Sequence, residues 1–173
     1  MEKIFYADCS AHENSELAVK RILEKYYDIP NAEIDRNEQG KPFLKNAPLF
    51  FSVSHTENKR FIAISRENVG IDAESLQREV EYLPIVKKFD DEERAEIRSR
   101  RDFLYHWTAK ESAVKWLGGS LAHDLYKLRY IKEKLYYGEI ELPVRICFFI
   151  RENILICVCS ERDFSNAEQI TVY

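Results

Sequence analysis

The sequence predicts an α+β protein of two similar lobes, each with a small antiparallel sheet and a packed helix. Three observations predict it. Residues 50–65 and 145–160 are both strand–turn–strand units, and a segment of helical periodicity precedes each of them. The chain has 173 residues, 45% of them hydrophobic and 13% aromatic, which is enough for a well-buried core. No Pro/Gly/Ser-rich linker or low-complexity stretch interrupts it. The lobes are expected to span residues 1–77 and 78–173 as one compact unit.

Each element follows from local signals. Residues 4–7 read as a strand, and Ser10 with Glu13 as a capping box for the helix that follows. Val19, Ile22, Leu23 and Tyr26 recur at helical spacing before Pro30. Asn37-Glu38-Gln39-Gly40 is a turn. Residues 50–54 and 61–65 are strands joined through polar Glu57-Asn58-Lys59, and residues 69–74 form another short strand. Residues 80–117 read as helical, with Asp90 and Asp102 as caps and Gly118-Gly119 as the stop. Residues 145–150 and 154–160 flank a short hairpin turn.

Composition narrows the function. The formal net charge of −4 disfavours general nucleic-acid binding. No run of about 18 apolar residues is present, so no membrane span is expected. The N-terminal residues lack a signal-peptide pattern, so a cytoplasmic location is expected. Cys9, Cys147, Cys157 and Cys159 contain no C-x-x-C pair, which points to reduced core thiols rather than a zinc site.

Four short segments carry possible chemistry. In Asp72-Ala73-Glu74, two carboxylates project from one strand face and repel unless a cation or water lies between them. Hard oxygen donors of this kind suit magnesium. Glu111 and Lys115 stand i and i+4 on a helix, beside a face of Phe103, Trp107, Lys110 and Val114. Ser52-Val53-Ser54-His55-Thr56 ends an apolar strand with hydroxyls and an imidazole. Gly40-Lys41-Pro42 sets a lysine in a rigid turn. Singly, each is commoner on an ordinary surface than in a site.

Taken in order, these segments resemble the 4′-phosphopantetheinyl transferase superfamily, in its larger, surfactin-synthetase-activating type. Gly70-Ile71-Asp72-Ala73-Glu74 followed about forty residues later by Trp107-Thr108-Ala109-Lys110-Glu111 and Lys115 is the most specific part. The resemblance implies coenzyme A in a cleft between the lobes. It implies magnesium, or manganese in its place, on Asp72, Glu74 and Glu111, with one carboxylate pKa raised by repulsion when no metal is bound. Lys115 would contact the phosphate, Ser54 and His55 the coenzyme A phosphates, and Lys41 the adenosine end. The serine of an apo acyl or peptidyl carrier protein would be the acceptor, its proton taken by Glu111 or a metal-bound water. A monomer is expected.

The chain departs from the family pattern in three places. Ser52 stands where asparagine is frequent, Ser120 replaces the second glycine of a G-x-G loop, and the part before Gly40 is shorter than in typical larger members, which carry extra basic residues there that help hold the 3′-phosphate of coenzyme A. Lys59 and Arg60 are the candidates to replace the latter. Two other functions remain open on the residues alone: another magnesium-dependent phosphoryl-transfer enzyme or phosphohydrolase, and a non-catalytic binding protein of the same fold.

Overall fold

The structure is a computed structural model that describes residues 2–8 and 14–172. In chain order it comprises β1 (Lys3–Asp8), α1 (Ser15–Tyr27), β2 (Ile34–Arg36), β3 (Pro42–Leu44), β4 (Phe50–Thr56), β5 (Lys59–Ser65) and β6 (Val69–Ser75). Three helices follow, α2 (Leu83–Val86), α3 (Asp91–Glu96) and α4 (Arg100–Leu117), then the short α5 (Leu121–Asp124). Strands β7 (Leu128–Ile131), β8 (Lys134–Tyr137), β9 (Ile140–Glu141), β10 (Arg145–Arg151), β11 (Ile154–Ser160) and β12 (Glu168–Val172) complete it.

Strand alternation builds four layers. One sheet has the order β12-β1-β5-β4 and a second β10-β11-β6. Ile4, Tyr6, Phe61 and Ala63 of the first meet Val69, Ile71, Ala73, Ile154, Ile156 and Val158 of the second, so the main core lies between the sheets. The opposite face of the first sheet, with Phe5, Ile62 and Ile64, takes Ala18, Val19, Ile22 and Leu23 of α1. The opposite face of the second, with Leu155, Cys157 and Cys159, takes α4. Each sheet thus carries one helix on its outer face, and the protein is α+β.

The strands do not divide at residue 77. β6 pairs antiparallel with β11 and belongs to the second sheet, while β12 returns to lie parallel to β1 in the first. Two side chains also stitch the sheets together where β4 passes β6. The Ser52 hydroxyl accepts the Ile71 amide at 3.1 Å and the Ser54 hydroxyl accepts the Ala73 amide at 3.2 Å. Both serines are buried, so their hydroxyls take the place of ladder carbonyls.

Several local expectations are corrected. Ser10, Glu13 and Cys9 lie outside the described residues; α1 starts at Ser15, and Asn14 caps it by accepting the Leu17 amide. The helical stretch 80–117 is three helices. Asp90 does cap α3, accepting the Glu92 amide. Asp102 is not a cap: Ser99 caps α4 by accepting the Asp102 amide, and the Asp102 carboxylate accepts the Arg98 amide in return. Gly118 ends α4 in the left-handed region at φ 70°.

Candidate functional site

The site forms where β6, the end of β4 and one face of α4 converge. Along β6, Val69, Ile71 and Ala73 turn into the core between the sheets, so Gly70, Asp72 and Glu74 face the α4 side. Gly70 allows the helix backbone to sit directly on the strand. A Cβ there would lie 1.9 Å from the Ser112 carbonyl oxygen and 2.5 Å from the Trp116 nitrogen. Buried Ala109, Ser112 and Ala113 keep the contacting face of α4 small. This close seat puts Glu111 and Lys115 over Asp72 and Glu74.

Val53, Ser54, His55, Thr56, Asp72, Ala73, Glu74, Arg78, Glu111 and Lys115 line one open cleft of about 420 Å³. A second cleft, of about 250 Å³, shares Val53 and Lys115 with it and is bounded by Gly40, Lys41, Pro42, Gly118 and Gly119. All seven residues singled out in the sequence therefore line two adjoining clefts. A smaller cleft around Tyr6 and Arg151 elsewhere on the molecule has its cations already engaged. Lys59 there is shared between Asp8 and Glu152, and Arg151 covers the Tyr6 ring.

Lys115 is the hub of the first cleft. Its ammonium donates to Asp72 Oδ1 at 2.8 Å, to the Ile71 carbonyl at 2.9 Å and to the Ser54 hydroxyl at 3.1 Å. Ser54 in turn donates to Asp72 Oδ1 at 3.0 Å. Its hydroxyl is thus fully engaged inside the protein, while His55 stands exposed at the rim. Arg78, which sequence reasoning missed, donates to Glu74 Oε1 at 2.5 Å. Its spacing from Glu74 resembles a helical ion pair, but the segment is a turn, so periodicity gave no signal.

The carboxylates of the cleft are unevenly satisfied. Asp72 Oδ2 is buried with no hydrogen-bond partner. Burial pushes the Glu111 carboxyl up to about 8; the Asp72 and Glu74 charges push the same way, and Lys115 and Arg78 oppose. The expected rise in one carboxylate pKa is present, although burial outweighs repulsion as its cause. Among the described residues, no three His, Cys, Asp or Glu side chains are gathered closely enough to close on one ion. Lys115 and Arg78 hold Asp72 and Glu74. The donor set of three carboxylates, one with an orphaned buried oxygen, fits a hard divalent cation.

A pH dependence follows for the metal-free protein. A carboxyl raised in the folded state favours folding below its ordinary value near 4.5, and this contribution is lost as pH rises through about 8. The melting temperature should therefore fall between those values. Glu111→Gln, neutral throughout, should flatten that part of the profile. An unchanged profile in Glu111→Gln would show that another group carries the dependence.

Behind the cleft, α4 is anchored on its other side. Lys110 is 1% exposed and donates to Glu93 Oε2 at 2.8 Å, with its ammonium 3.5 Å from the centre of the Phe89 ring. Glu93 Oε1 also accepts the Tyr130 amide and lies 3.3 Å from His106 Nδ1. This buried pair ties α3, α4 and β7 together.

Residues 68–138, which span β6 and α4, match the profile of the 4′-phosphopantetheinyl transferase superfamily. Over this stretch the chain is similar to that superfamily. It is 32% identical over 111 residues to 4′-phosphopantetheinyl transferase gsp of Aneurinibacillus migulanus, covering 60% of this chain and 46% of that protein. It is 28% identical over 149 residues to the L-aminoadipate-semialdehyde dehydrogenase-phosphopantetheinyl transferases of Rattus norvegicus and Homo sapiens, covering 73% of this chain and 48% of each of those. The chain spans about half the length of the curated relatives it matches. The superfamily match contains Asp72, Glu74, Glu111 and Lys115, the residues that meet in the first cleft. No helix among the described residues is long and apolar enough to cross a membrane.

Proposed function

We propose that this chain transfers the 4′-phosphopantetheine arm of coenzyme A to a serine of an apo acyl or peptidyl carrier protein, releasing adenosine 3′,5′-bisphosphate. The observation that carries this reading is the convergence of Asp72, Glu74, Glu111 and Lys115 in a cleft that adjoins a second one beyond Lys115. The first suits a pyrophosphate and the second an adenosine end. Magnesium, or manganese, held by Asp72, Glu74 and Glu111 would neutralise and polarise the pyrophosphate. In the absence of metal Lys115 and Arg78 already place positive charge on two of those carboxylates.

The chain's own residues then divide the work. Lys115, fixed by Asp72, Ser54 and the Ile71 carbonyl, offsets negative charge on the leaving bisphosphate. Exposed His55 grips a coenzyme A phosphate at the rim; Ser54 acts alongside it by holding Asp72 and Lys115 in register. Glu111, raised toward neutrality by burial, is suited to exchange a proton near pH 8, directly or through a water, with the attacking serine. The Lys41 side chain walls the adenosine end. The reading includes a monomer at work in the cytoplasm. Its test is incubation with coenzyme A, magnesium and a panel of apo-carriers, read by intact mass. A metal-dependent gain of about 340 Da, the covalently transferred arm, is expected. Release of phosphate or nucleotide without carrier modification would instead identify a phosphohydrolase.

Lys115 and His55 should separate kinetically. Lys115→Ala should lower kcat by about 10²-fold, because its charge counts most as the bond breaks. His55→Ala should raise KM for coenzyme A by about tenfold, with a smaller change in kcat. The reverse pattern would exchange the two roles.

The carrier is placed on the surface that follows β6. Val86 and Phe89 pack inward with Phe103, Leu104 and Leu155 and are unavailable. Leu83 is 60% exposed, and Lys87 and Lys88 beside it are exposed too. Nearby cations are more engaged, Arg94 with Asp91 and Arg100 with Glu79. This leaves an apolar contact flanked by two lysines for an acidic carrier. Lys87→Glu/Lys88→Glu should raise KM for apo-carrier by about tenfold at low salt and leave coenzyme A binding unchanged. An unchanged carrier KM would move the docking surface elsewhere.

A further inference from the structure

The Gly40-Lys41-Pro42 turn does more than wall the second cleft: it is fastened to the end of α4. The Lys41 ammonium donates to Asn68 Oδ1 at 2.6 Å and to the Trp116 carbonyl at 3.0 Å. Asn68 Nδ2 donates to the same carbonyl at 2.6 Å, and Asn37 Nδ2 donates to the Gly118 carbonyl at 3.2 Å. Three side chains from outside the helix thus satisfy two of the carbonyls that the helix end leaves open. The fit is close. A Cβ on Gly118 would lie 3.0 Å from Asn37 Nδ2 and 3.2 Å from Lys41 Cδ. Asn37 itself is held by the turn, its Oδ1 accepting the Lys41 and Gln39 amides at 2.7 and 3.1 Å.

We propose that Lys41 is a positioning residue, whose ammonium, together with Asn68 and Asn37, clamps the last turn of α4 and so holds Lys115 and the Gly118-Gly119 wall of the second cleft. A cation at a helix C-terminus is favoured by the partial negative charge of the open carbonyls. Trp116 directly follows Lys115, so freedom at its carbonyl passes to the residue that grips Asp72. Burial holds the Lys41 amine down to about 8, so the ammonium is present at neutral pH and is lost as pH rises above that value. The clamp also joins the segment before β4 to the helix after β6, fixing the mouth shared by the two clefts. The inference rests on the proposed coenzyme A site only for its kinetic consequence.

The test uses the full chain and two readouts. Lys41→Met keeps the stem that packs on Gly118 and removes only the charge and its hydrogen bonds. In the free protein, hydrogen exchange at the Gly118 and Gly119 amides should speed up by at least about tenfold, while the mid-helix amides of Ala109 and Ala113 stay protected. In the transfer assay, kcat should fall about tenfold with KM for coenzyme A within about twofold, and 3′-dephospho-coenzyme A should show the same loss. Should Lys41→Met lose protection throughout, Asn37→Ala, which removes the bond to the Gly118 carbonyl and those within the turn but leaves the Lys41 ammonium in place, gives the same exchange test. Unchanged exchange at the two glycines would overturn the proposal. So would a KM rise seen with coenzyme A and absent with the dephospho form, which would make Lys41 a phosphate ligand. If the wild-type chain modifies no carrier, the proposed function fails, while the exchange experiment still decides the clamp.

Discussion

Gly70→Ala should destabilise the protein by at least about 3 kcal/mol and strip it of the proposed transfer activity. The new methyl would stand 1.9 Å from the Ser112 carbonyl oxygen and 2.5 Å from the Trp116 nitrogen, and both are backbone atoms of α4. A flexible side chain can swing away from such a contact; a helix must move as a body. Moving α4 opens the packing of Ala109, Ala113 and Val114 on Cys157 and Cys159, and it draws Lys115 off Asp72. At about 2–4 °C per kcal/mol for a chain of this size, the melting temperature should drop by about 10 °C. Gly138→Ala is the control. Gly138 has φ 59° and nothing within 4 Å of a new Cβ, so only about 1 kcal/mol of backbone strain is expected. Thermal melts of the two variants side by side decide the matter: equal losses would mean that the closeness of α4 to β6 is not what fixes glycine at position 70.

Much of the fold was legible because its signals are local. The hairpins at 50–65 and 145–160 show alternation around short polar turns, and α1 and α4 show helical spacing with recognisable ends. What escaped was pairing between distant segments. The strand Val69–Ser75 follows β5 so closely that it reads as part of the same unit, but its outward face carries Gly70, Asp72 and Glu74, which only α4 can cover. It therefore joins β11. The half-exposed Glu168–Val172 has too little apolar pattern to announce a strand, and its parallel partner β1 lies at the other end of the chain. Ser52 and Ser54 looked like a polar strand exit; their role in bridging two sheets needs a neighbouring strand that sequence does not reveal.

The site was legible for a different reason. Carboxylates two apart on a strand, and a Glu–Lys pair four apart on a helix, fix the side-chain directions before any tertiary contact is known. The superfamily resemblance then supplied the partnership between the two segments. It did not supply the internal counter-ions. Arg78 sits in a turn with no periodicity to place it. Lys110 lies one residue from Glu111 yet points to the opposite side of α4, where Glu93 holds it in a buried pair. Its presence on an apolar helix face was visible in the sequence, but a buried lysine requires a partner, and that partner lies 17 positions away.

Asp72→Asn should lower the proposed transfer by about 10³-fold or more, equivalent to about 4 kcal/mol in the barrier, while leaving the fold in place. The amide has the same shape, so its oxygen can still accept from Lys115 and Ser54. Lys115 is 29% exposed and keeps water as an alternative partner, so its ammonium is not stranded by the lost charge. The melting temperature should stay within about 4 °C of wild type, a change of about 1 kcal/mol. What disappears is negative charge at Oδ2, the buried oxygen with no partner in the protein, and an amide nitrogen there repels a cation. A second readout needs neither carrier nor coenzyme A. Asp72 raises the Glu111 carboxyl, next in weight after burial, so in the variant Glu111 should titrate lower, though still above its ordinary value. Carboxyl-carbon NMR across pH 4–9 would follow it directly. Near-normal transfer in Asp72→Asn would remove Asp72 from the chemistry. An unmoved Glu111 titration would show that the two carboxylates do not share one field, and with that the case for a common cation between them would fall.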